Sequence, residues 1–167
     1  DRYVPAVCAK YYASSKFPSD QRFAFFPSVT DGWRGSTEPF WKVSDKIISD
    51  LKIRASYGAL GNGNINSYTY QEQFSISQLG RIMNGVRPQS TRNPSVLPIG
   101  ITWETATTQT LGLDFSALSD RIRFVGDAYI RNTTDMYTPG MTLPAVFGAS
   151  APKGNYADLK TTGWEAS

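Results

Sequence analysis

Histidine is absent from the 167 residues, and Cys8 is the only cysteine. No disulfide can form within the chain, and zinc sites built from cysteine and histidine are excluded, as is any catalytic triad that uses histidine. There is no apolar run of about 18 residues, the length that a transmembrane helix needs. The net charge is only +3, and the basic residues are scattered rather than clustered as in nucleic-acid-binding proteins. We therefore expect no metal, no cofactor and no nucleic acid.

The two ends of the sequence also lack the features of natural termini. The first residues, DRYVPAVCAK, do not show the basic and then apolar pattern of a signal peptide, and the last residues, GWEAS, end the sequence in the middle of a strand-like pattern. With a hydrophobic fraction of 40% and an aromatic fraction of 13%, the chain is expected to be ordered. The sequence therefore predicts an ordered piece of a longer protein.

Residues 121–131, RIRFVGDAYIR, form a strand with two contrasting faces. Successive side chains of a strand point to opposite faces, so Ile122, Phe124 and Ile130 share one face, and the arginines share the other. A soluble β-sandwich would bury the apolar face in a core, whereas a membrane barrel would expose it to lipid. The strand by itself leaves both alternatives open.

Long connections alternate with compact ones along the chain. Strands are predicted over 3–12, 22–33, 51–60, 102–117, 121–131 and 159–167, with a short helical connection near 37–48. Long irregular segments cover 61–101 and 132–158, whereas 117–121 is a tight turn. In an antiparallel meander this places the long loops at one end, as in transmembrane β-barrels. The alternation of apolar residues does not by itself separate a barrel from a sandwich.

Four stretches carry a resemblance to a known family. They read SSKFPSDQRFAFFPSV (14–29), SDLKIRASYGALGNGNI (49–65), ITWETATTQTLGLDFSALSDRIRFVGDAYIRNTTDM (101–136) and LPAVFGASAPKGNYADLKTTGWEAS (143–167). In order and spacing they resemble the C-terminal half of the barrel in the SusC/RagA family, the TonB-linked outer-membrane transporters of Bacteroidetes. The resemblance covers nearly the whole chain.

The resemblance implies an all-β fold, an antiparallel up-and-down meander that forms part of a transmembrane barrel of about 22 strands. Residues 1–167 would form a partial barrel domain, without the plug and the N-terminal accessory domain. The parent would lie in the cell outer membrane and import oligosaccharide or peptide nutrients with a SusD-like surface lipoprotein. TonB would act through the missing plug, and the transporter would not be an enzyme.

The resemblance also assigns the two faces of the strand at 121–131, because each arginine facing lipid would cost about 2–4 kcal/mol at the bilayer midplane. The residues expected to face the lumen are Arg121, Arg123, Asp127 and Arg131. Those expected to face lipid are Ile122, Phe124, Ala128 and Ile130. Contacts with ligand or lid protein are expected from polar and aromatic residues in or beside the long loops: Asn62, Asn64, Asn66, Tyr68, Tyr70, Asn84, Arg87, Asn93 and Tyr156.

The sequence allows two alternatives to the transporter. The first is a soluble β-sandwich that binds carbohydrate through its loops. A sandwich should fold alone, whereas a slice of barrel leaves open sheet edges and an uncovered apolar face. The second is a hydrolase, against which the absence of histidine weighs. The sequence contains no phosphate-binding loop and no nucleophile with an adjacent base.

Overall fold

The computed structural model describes residues 2–42, 47–92, 94, 96–98, 100–149 and 151–167. Six strands form one antiparallel sheet in the order β1-β2-β3-β6-β7-β8, and β4 pairs with β5 in a separate hairpin. The strand bounds are β1 Ala6–Ala13, β2 Phe23–Arg34, β3 Ile48–Asn62, β4 Ser75–Gln78, β5 Gln89–Arg92, β6 Glu104–Ala117, β7 Ile122–Pro139 and β8 Lys153–Ala166. The predicted all-β antiparallel meander is confirmed.

The connections between the six strands differ at the two ends of the sheet. Residues 14–22, 63–103 and 140–152 connect strands at one end, which we call the loop end. Residues 35–47 and 118–121 connect strands at the other, which we call the turn end. The backbone N–H of Leu118 donates to the carbonyl of Ile47 at 3.2 Å, so the two turn-end connections are in contact.

The helical connection predicted near 37–48 is not an α-helix in its described part. A 3₁₀ turn covers Gly35–Thr37, residues 38–42 are turn and coil, and Ile48 already belongs to β3. Residues 43–46 lie outside the described residues. Glu38 donates its backbone N–H to the carbonyl of Gly35, and its own extended backbone ends the 3₁₀ turn there. In the described part of the chain, no helix is long and apolar enough to cross a membrane.

Strands β7 and β8 are longer than their sequences indicate. The prediction ended the first at residue 131 and began the next at 159, but pairing continues to Pro139 opposite Lys153. Asp135 has a positive φ of 57°, and the register shifts between Thr133 and Met136. A β-bulge thus absorbs the turn-forming residues, and the ladder of backbone hydrogen bonds outweighs their local preference.

The register divides the sheet into an apolar and a polar face. Ala55, Leu111, Ala128 and Trp164 lie opposite one another on four successive strands. In the part of the chain that the structure describes, no second layer covers this face: Leu111 is 59% exposed and Trp164 is 79% exposed. The alternation of apolar and polar residues predicted for β7 therefore continues across the sheet.

This exposure contradicts the sandwich alternative. A sandwich would bury Ile122 and Phe124 between two sheets, but their side chains are 52% and 42% exposed. The second sheet in the described part of the chain is the short β4–β5 hairpin, and it does not cover the apolar face.

The buried core lies at the loop end rather than under the sheet. It consists of a group that we call the loop-end cluster: Phe17, Phe26, Ile65, Ile101 and Trp103. The ring of Trp103 stacks on Phe17 with the two ring centroids 4.6 Å apart, and it meets Phe26 edge-on. A Cβ on Gly61 would clash with the Phe26 ring, so glycine at that position lets the ring pack against the backbone of β3. The cluster ties the connections 14–22 and 63–103 together.

Candidate functional site

Charged residues from three strands meet on the polar face. Arg54 of β3, Gly112 of β6 and Asp127 of β7 lie directly opposite one another. The guanidinium of Arg54 lies 2.9 Å from Asp114 Oδ1 and 3.1 Å from Asp127 Oδ1. We call Arg54, Asp114 and Asp127 the ion triad. One cation thus bridges carboxylates on two neighbouring strands.

Gly112 makes room for this bridge. A Cβ at this position would lie 2.9 Å from Arg54 Cζ and would clash with Asp127 Oδ1. The guanidinium therefore passes directly over the backbone of β6 to reach β7. A glycine at this position is a steric requirement of the ion triad, since any side chain would occupy the same space.

Replacing Gly112 by alanine is expected to displace Arg54 and lower the free energy of unfolding by about 1–3 kcal/mol, the usual cost of forcing an extra group into a filled site. The control is Gly58→Ala on the same face of β3, where the nearest atom to the new Cβ is Ser28 Cβ at 3.3 Å. Denaturant unfolding of the full-length protein in detergent measures both variants.

Asp127→Asn tests the charges without adding bulk. Because the side chains of the ion triad are about one-third exposed, solvent screens them, and we expect a coupling of about 1 kcal/mol or less between Arg54 and Asp127 in a double-mutant cycle.

The glycine prediction has its own contradicting outcome. If Gly112→Ala and Gly58→Ala lowered the free energy of unfolding equally, Gly112 would not have the steric role that we assign to it.

The four residues predicted to face a lumen do not share one position. Arg123, Asp127 and Arg131 lie on the polar face, and Arg131 donates from Nε to Thr108 Oγ1 at 3.3 Å. Arg121 instead precedes β7 and lies in the turn 118–121, where its N–H donates to the carbonyl of Leu118. Leu118, Ser119 and Asp120 all have positive φ in this turn. Strand β7 therefore begins at Ile122, one residue later than the strand predicted over 121–131.

The four residues predicted to face lipid all lie on the apolar face of β7. Ile122, Phe124, Ala128 and Ile130 stand opposite Ala117, Phe115, Leu111 and Gln109 of β6. All four side chains are exposed.

Two of the candidate contact residues near the end of β3 make contacts within the loop end itself. Asn62 donates from Nδ2 to Glu104 Oε1 at 3.3 Å and accepts the N–H of Asn64, so it organises the backbone where the strand ends. Tyr70 is half-buried and packs against the loop-end cluster. These contacts give Asn62 and Tyr70 a structural role in the loop end.

Asn66 and Tyr68 line a cavity of about 330 Å³ at the loop end. Its other walls include Tyr137 from the end of β7 and Lys153 from the start of β8. Tyr68 has a φ of 62° and is 59% exposed, which presents its ring at the rim. The connections 63–103 and 140–152 thus meet at one concave surface that combines aromatic rings with amide and hydroxyl groups, which is the composition of many small-ligand sites.

Asn84, Arg87 and Tyr156 do not line this cavity. Asn84 and Gly85 have φ values of 50° and 78° and form the turn of the β4–β5 hairpin, with Arg87 exposed beside it. The Tyr156 ring covers the backbone of Gly154 in β8. Asn93 lies outside the described residues.

The sequence analysis did not predict the ion pairs of Arg54 or the packing of the loop-end cluster. Alternation places Lys52 and Arg54 on one face of a strand, and this was the available signal. The partners of Arg54 lie 60 and 73 residues further along the chain, so only the strand register brings them together. The described residues contain no group of three or more histidine, cysteine, aspartate or glutamate side chains that could hold a metal ion.

Comparison with known proteins extends over nearly the whole chain. No family model matches it. The TonB-dependent receptor P3 of Formosa agariphila is 33% identical over 169 residues, which cover 99% of this chain. SusC, a TonB-dependent receptor of Bacteroides thetaiotaomicron, is 33% identical over 138 residues, or 81% of this chain. The chain belongs to the SusC/RagA family of TonB-dependent receptors.

Solved structures of the same type share the fold. The RagAB peptide transporter matches 98% of this chain with a TM-score of 0.82 at 23% identity, and the open form of the RagAB peptide importer matches with a TM-score of 0.80. The chain spans 16% of the length of the P3 receptor, 14% of SusC and 17% of the matched RagAB chain. It therefore corresponds to one segment of a SusC/RagA-type barrel.

Proposed function

We propose that this chain is a wall segment of an outer-membrane transporter that imports oligosaccharide or peptide nutrients. One observation carries the proposal: the sheet exposes a continuous apolar face while its opposite face holds the ion triad. In water an uncovered apolar face of this size would drive aggregation, whereas in a barrel wall lipid covers it. The polar face then borders a water-filled lumen.

Strand length supports the same assignment. A strand crosses a bilayer with about 9–11 residues at a tilt, and β3, β6 and β7 contain 15, 14 and 18 residues. The excess residues extend past the membrane, mainly at the loop end, where β7 continues to Pro139. We assign the loop end to the outer surface, because outer-membrane barrels carry their long loops there.

The partners of the whole receptor follow from its family. A SusD-like surface lipoprotein would cover the loop end, and TonB would act through a plug that belongs to another part of the receptor. We place the ligand at the cavity lined by Asn66, Tyr68 and Tyr137, because it lies where an incoming solute would meet the outer end of the wall. The related structures named as peptide transporters support transport rather than catalysis.

Spin labels on adjacent residues of β7 test the assignment of the two faces. In a full-length receptor carrying Cys8→Ser, a nitroxide at Ile130→Cys is expected to collide mainly with lipid-soluble oxygen. A nitroxide at Arg131→Cys is expected to collide mainly with a water-soluble nickel chelate. The reason is that neighbouring side chains of a strand face opposite solvents. Equal access of the nickel chelate to both positions in membranes would overturn the barrel assignment.

Uptake measurements test transport separately. Cells that lack the receptor gene should lose uptake of one labelled oligosaccharide or peptide class, and loss of TonB should abolish the same uptake. If both deletions leave uptake of a broad panel of glycans and peptides unchanged, the transport function is wrong even when the spin labels confirm the wall.

A further inference from the structure

A groove of about 600 Å³ lies on the apolar face of the sheet, across β6, β7 and β8. The short side chain of Ala128 on β7 forms its floor, and Leu111 and Trp164 stand opposite Ala128 on the two neighbouring strands. Both of these side chains project from the sheet, since Leu111 is 59% exposed and Trp164 is 79% exposed. We call this surface the wall groove.

The two ends of the wall groove differ in polarity. On the turn-end side, a Cβ on Gly126 would lie 3.0 Å from the ring of Phe124, so this ring covers the next part of β7 with apolar surface. On the loop-end side, Gln109 and Thr162 flank Ile130 in the next row of the same face, and all three line the groove. The row beyond them is polar and consists of Thr107, Asn132 and Lys160. The groove thus leads from the apolar part of the face to its polar border.

The side chains of Gln109 and Thr162 are free to donate hydrogen bonds at this border. Within the part of the chain that the structure describes, neither side chain makes a hydrogen bond, and both are exposed. Hydrocarbon tails offer no acceptor to an amide or a hydroxyl, so each group costs free energy on a lipid-covered face unless it finds one. In an acylated lipid, the acceptors next to the tails are the carbonyl oxygens of the acyl linkages.

We propose that the wall groove binds one acylated membrane lipid. An acyl chain lies over Ala128 between Leu111 and Trp164, and carbonyl oxygens of the acyl linkages accept from the Gln109 amide and the Thr162 hydroxyl. These two residues are two strands apart, which is about 10 Å, so each can reach a different acyl carbonyl of the same lipid. An apolar cleft with a few polar groups that fix orientation is the usual composition of a ligand site.

The two donors favour a lipid over a second copy of the receptor as the occupant. The apolar face of a second copy would bring hydrocarbon side chains against the groove and would leave both donors without acceptors. An acylated lipid fills the same groove and satisfies both donors. The inference rests on the proposed function, because lipid reaches this face only in a barrel wall. With the loop end at the outer surface, the bound lipid belongs to the outer leaflet.

Two lipids that differ only in the acyl linkage test the proposal. The full-length receptor in detergent is mixed with a diester phosphatidylcholine or with its diether analogue, which lacks the carbonyl groups, and native mass spectrometry measures the binding of each. We expect the ester lipid to bind about fivefold more tightly, the change expected from about one neutral hydrogen bond. Equal binding of the two lipids to the wild type would overturn the proposal.

Substitutions in the groove locate this selectivity. Gln109→Leu and Thr162→Val should each reduce it, although more apolar side chains would maintain or strengthen general contact with lipid. Ala128→Phe fills the floor of the groove and should abolish the ester-selective binding. The matched control is Ala9→Phe, because Ala9 is exposed on the apolar face of β1, opposite Pro27, and does not line the groove. We expect this control to keep the selectivity of the wild type.

The remaining outcomes are also decisive. Selectivity that persists in Gln109→Leu and in Ala128→Phe would come from another part of the receptor and would overturn the proposal. Receptor dimers that dissociate in Ala128→Phe, with no ester selectivity in the wild type, would identify a second copy as the occupant and would overturn it as well. The spin labels at positions 130 and 131 test the wall separately, so lipid contact at position 130 combined with equal ester and ether binding would refute the lipid site alone.

Discussion

Replacing Leu111 by arginine is expected to prevent stable assembly of the receptor in a bilayer. Leu111 lies in the middle of β6, on the apolar face, and is 59% exposed. An arginine on the lipid-facing side of a barrel costs about 2–4 kcal/mol at the bilayer midplane. Denaturant unfolding of the receptor refolded into phospholipid vesicles measures this loss.

Thr110→Arg is the matched control, because Thr110 is the adjacent residue of the same strand and lies on the polar face opposite Ser56 and Tyr129. The added charge there meets water rather than lipid, and we expect a change of less than about 1 kcal/mol. If Leu111→Arg and Thr110→Arg were equally stable in vesicles, the apolar face would not contact lipid. The difference should shrink in detergent micelles that admit water to the sheet.

Replacing Trp103 by alanine is expected to loosen the loop end and to cost about 3–5 kcal/mol, the usual range for removing a buried tryptophan. Trp103 stacks on Phe17 and Tyr12, and its Nε1 donates to the carbonyl of Gln21 at 2.9 Å. The substitution leaves this carbonyl unpaired and a void between two connections. Residues 14–22 should then become sensitive to protease in the folded receptor.

Trp164→Ala is the control for this substitution, since Trp164 has the same side chain but is 79% exposed on the apolar face. It leaves no cavity inside the protein, so we expect no new cleavage within residues 14–22. Cleavage of that segment at the same rate in the wild type and in Trp103→Ala would show that the loop-end cluster does not hold the connection.

Two separate groups of residues, the loop-end cluster and the ion triad, stabilise this segment. Buried apolar side chains hold the long connections together above the sheet, whereas hydrogen-bonded charges link three strands on its polar face. The apolar face contributes little until something covers it. For this reason the environment of the sheet, rather than a second layer of protein, is the largest expected influence on its stability.

Local sequence patterns predicted the six strands of the main sheet and the two faces of β7, but not the β4–β5 hairpin or the full length of β7 and β8. Strict alternation over 121–131 places Ile122 and Phe124 on one face and Arg123 and Asp127 on the other, because the side-chain period of a strand is two residues. The same local signal identified the strands over 51–60 and 102–117. Such patterns survive in the structure because they depend only on neighbouring residues.

The contacts between residues of different strands depend on the register of the folded sheet. Arg54 reaches Asp127 over Gly112, and Ser116 faces Arg123, because each pair of strands adopts one register. A shift by one residue would satisfy the local preferences of each strand equally well but would reverse its faces relative to its neighbours. The same ladder extends β7 through Asp135 to Pro139, since paired backbone groups outweigh the turn preference of single residues. Register is a property of the whole sheet, and no local stretch of sequence encodes it.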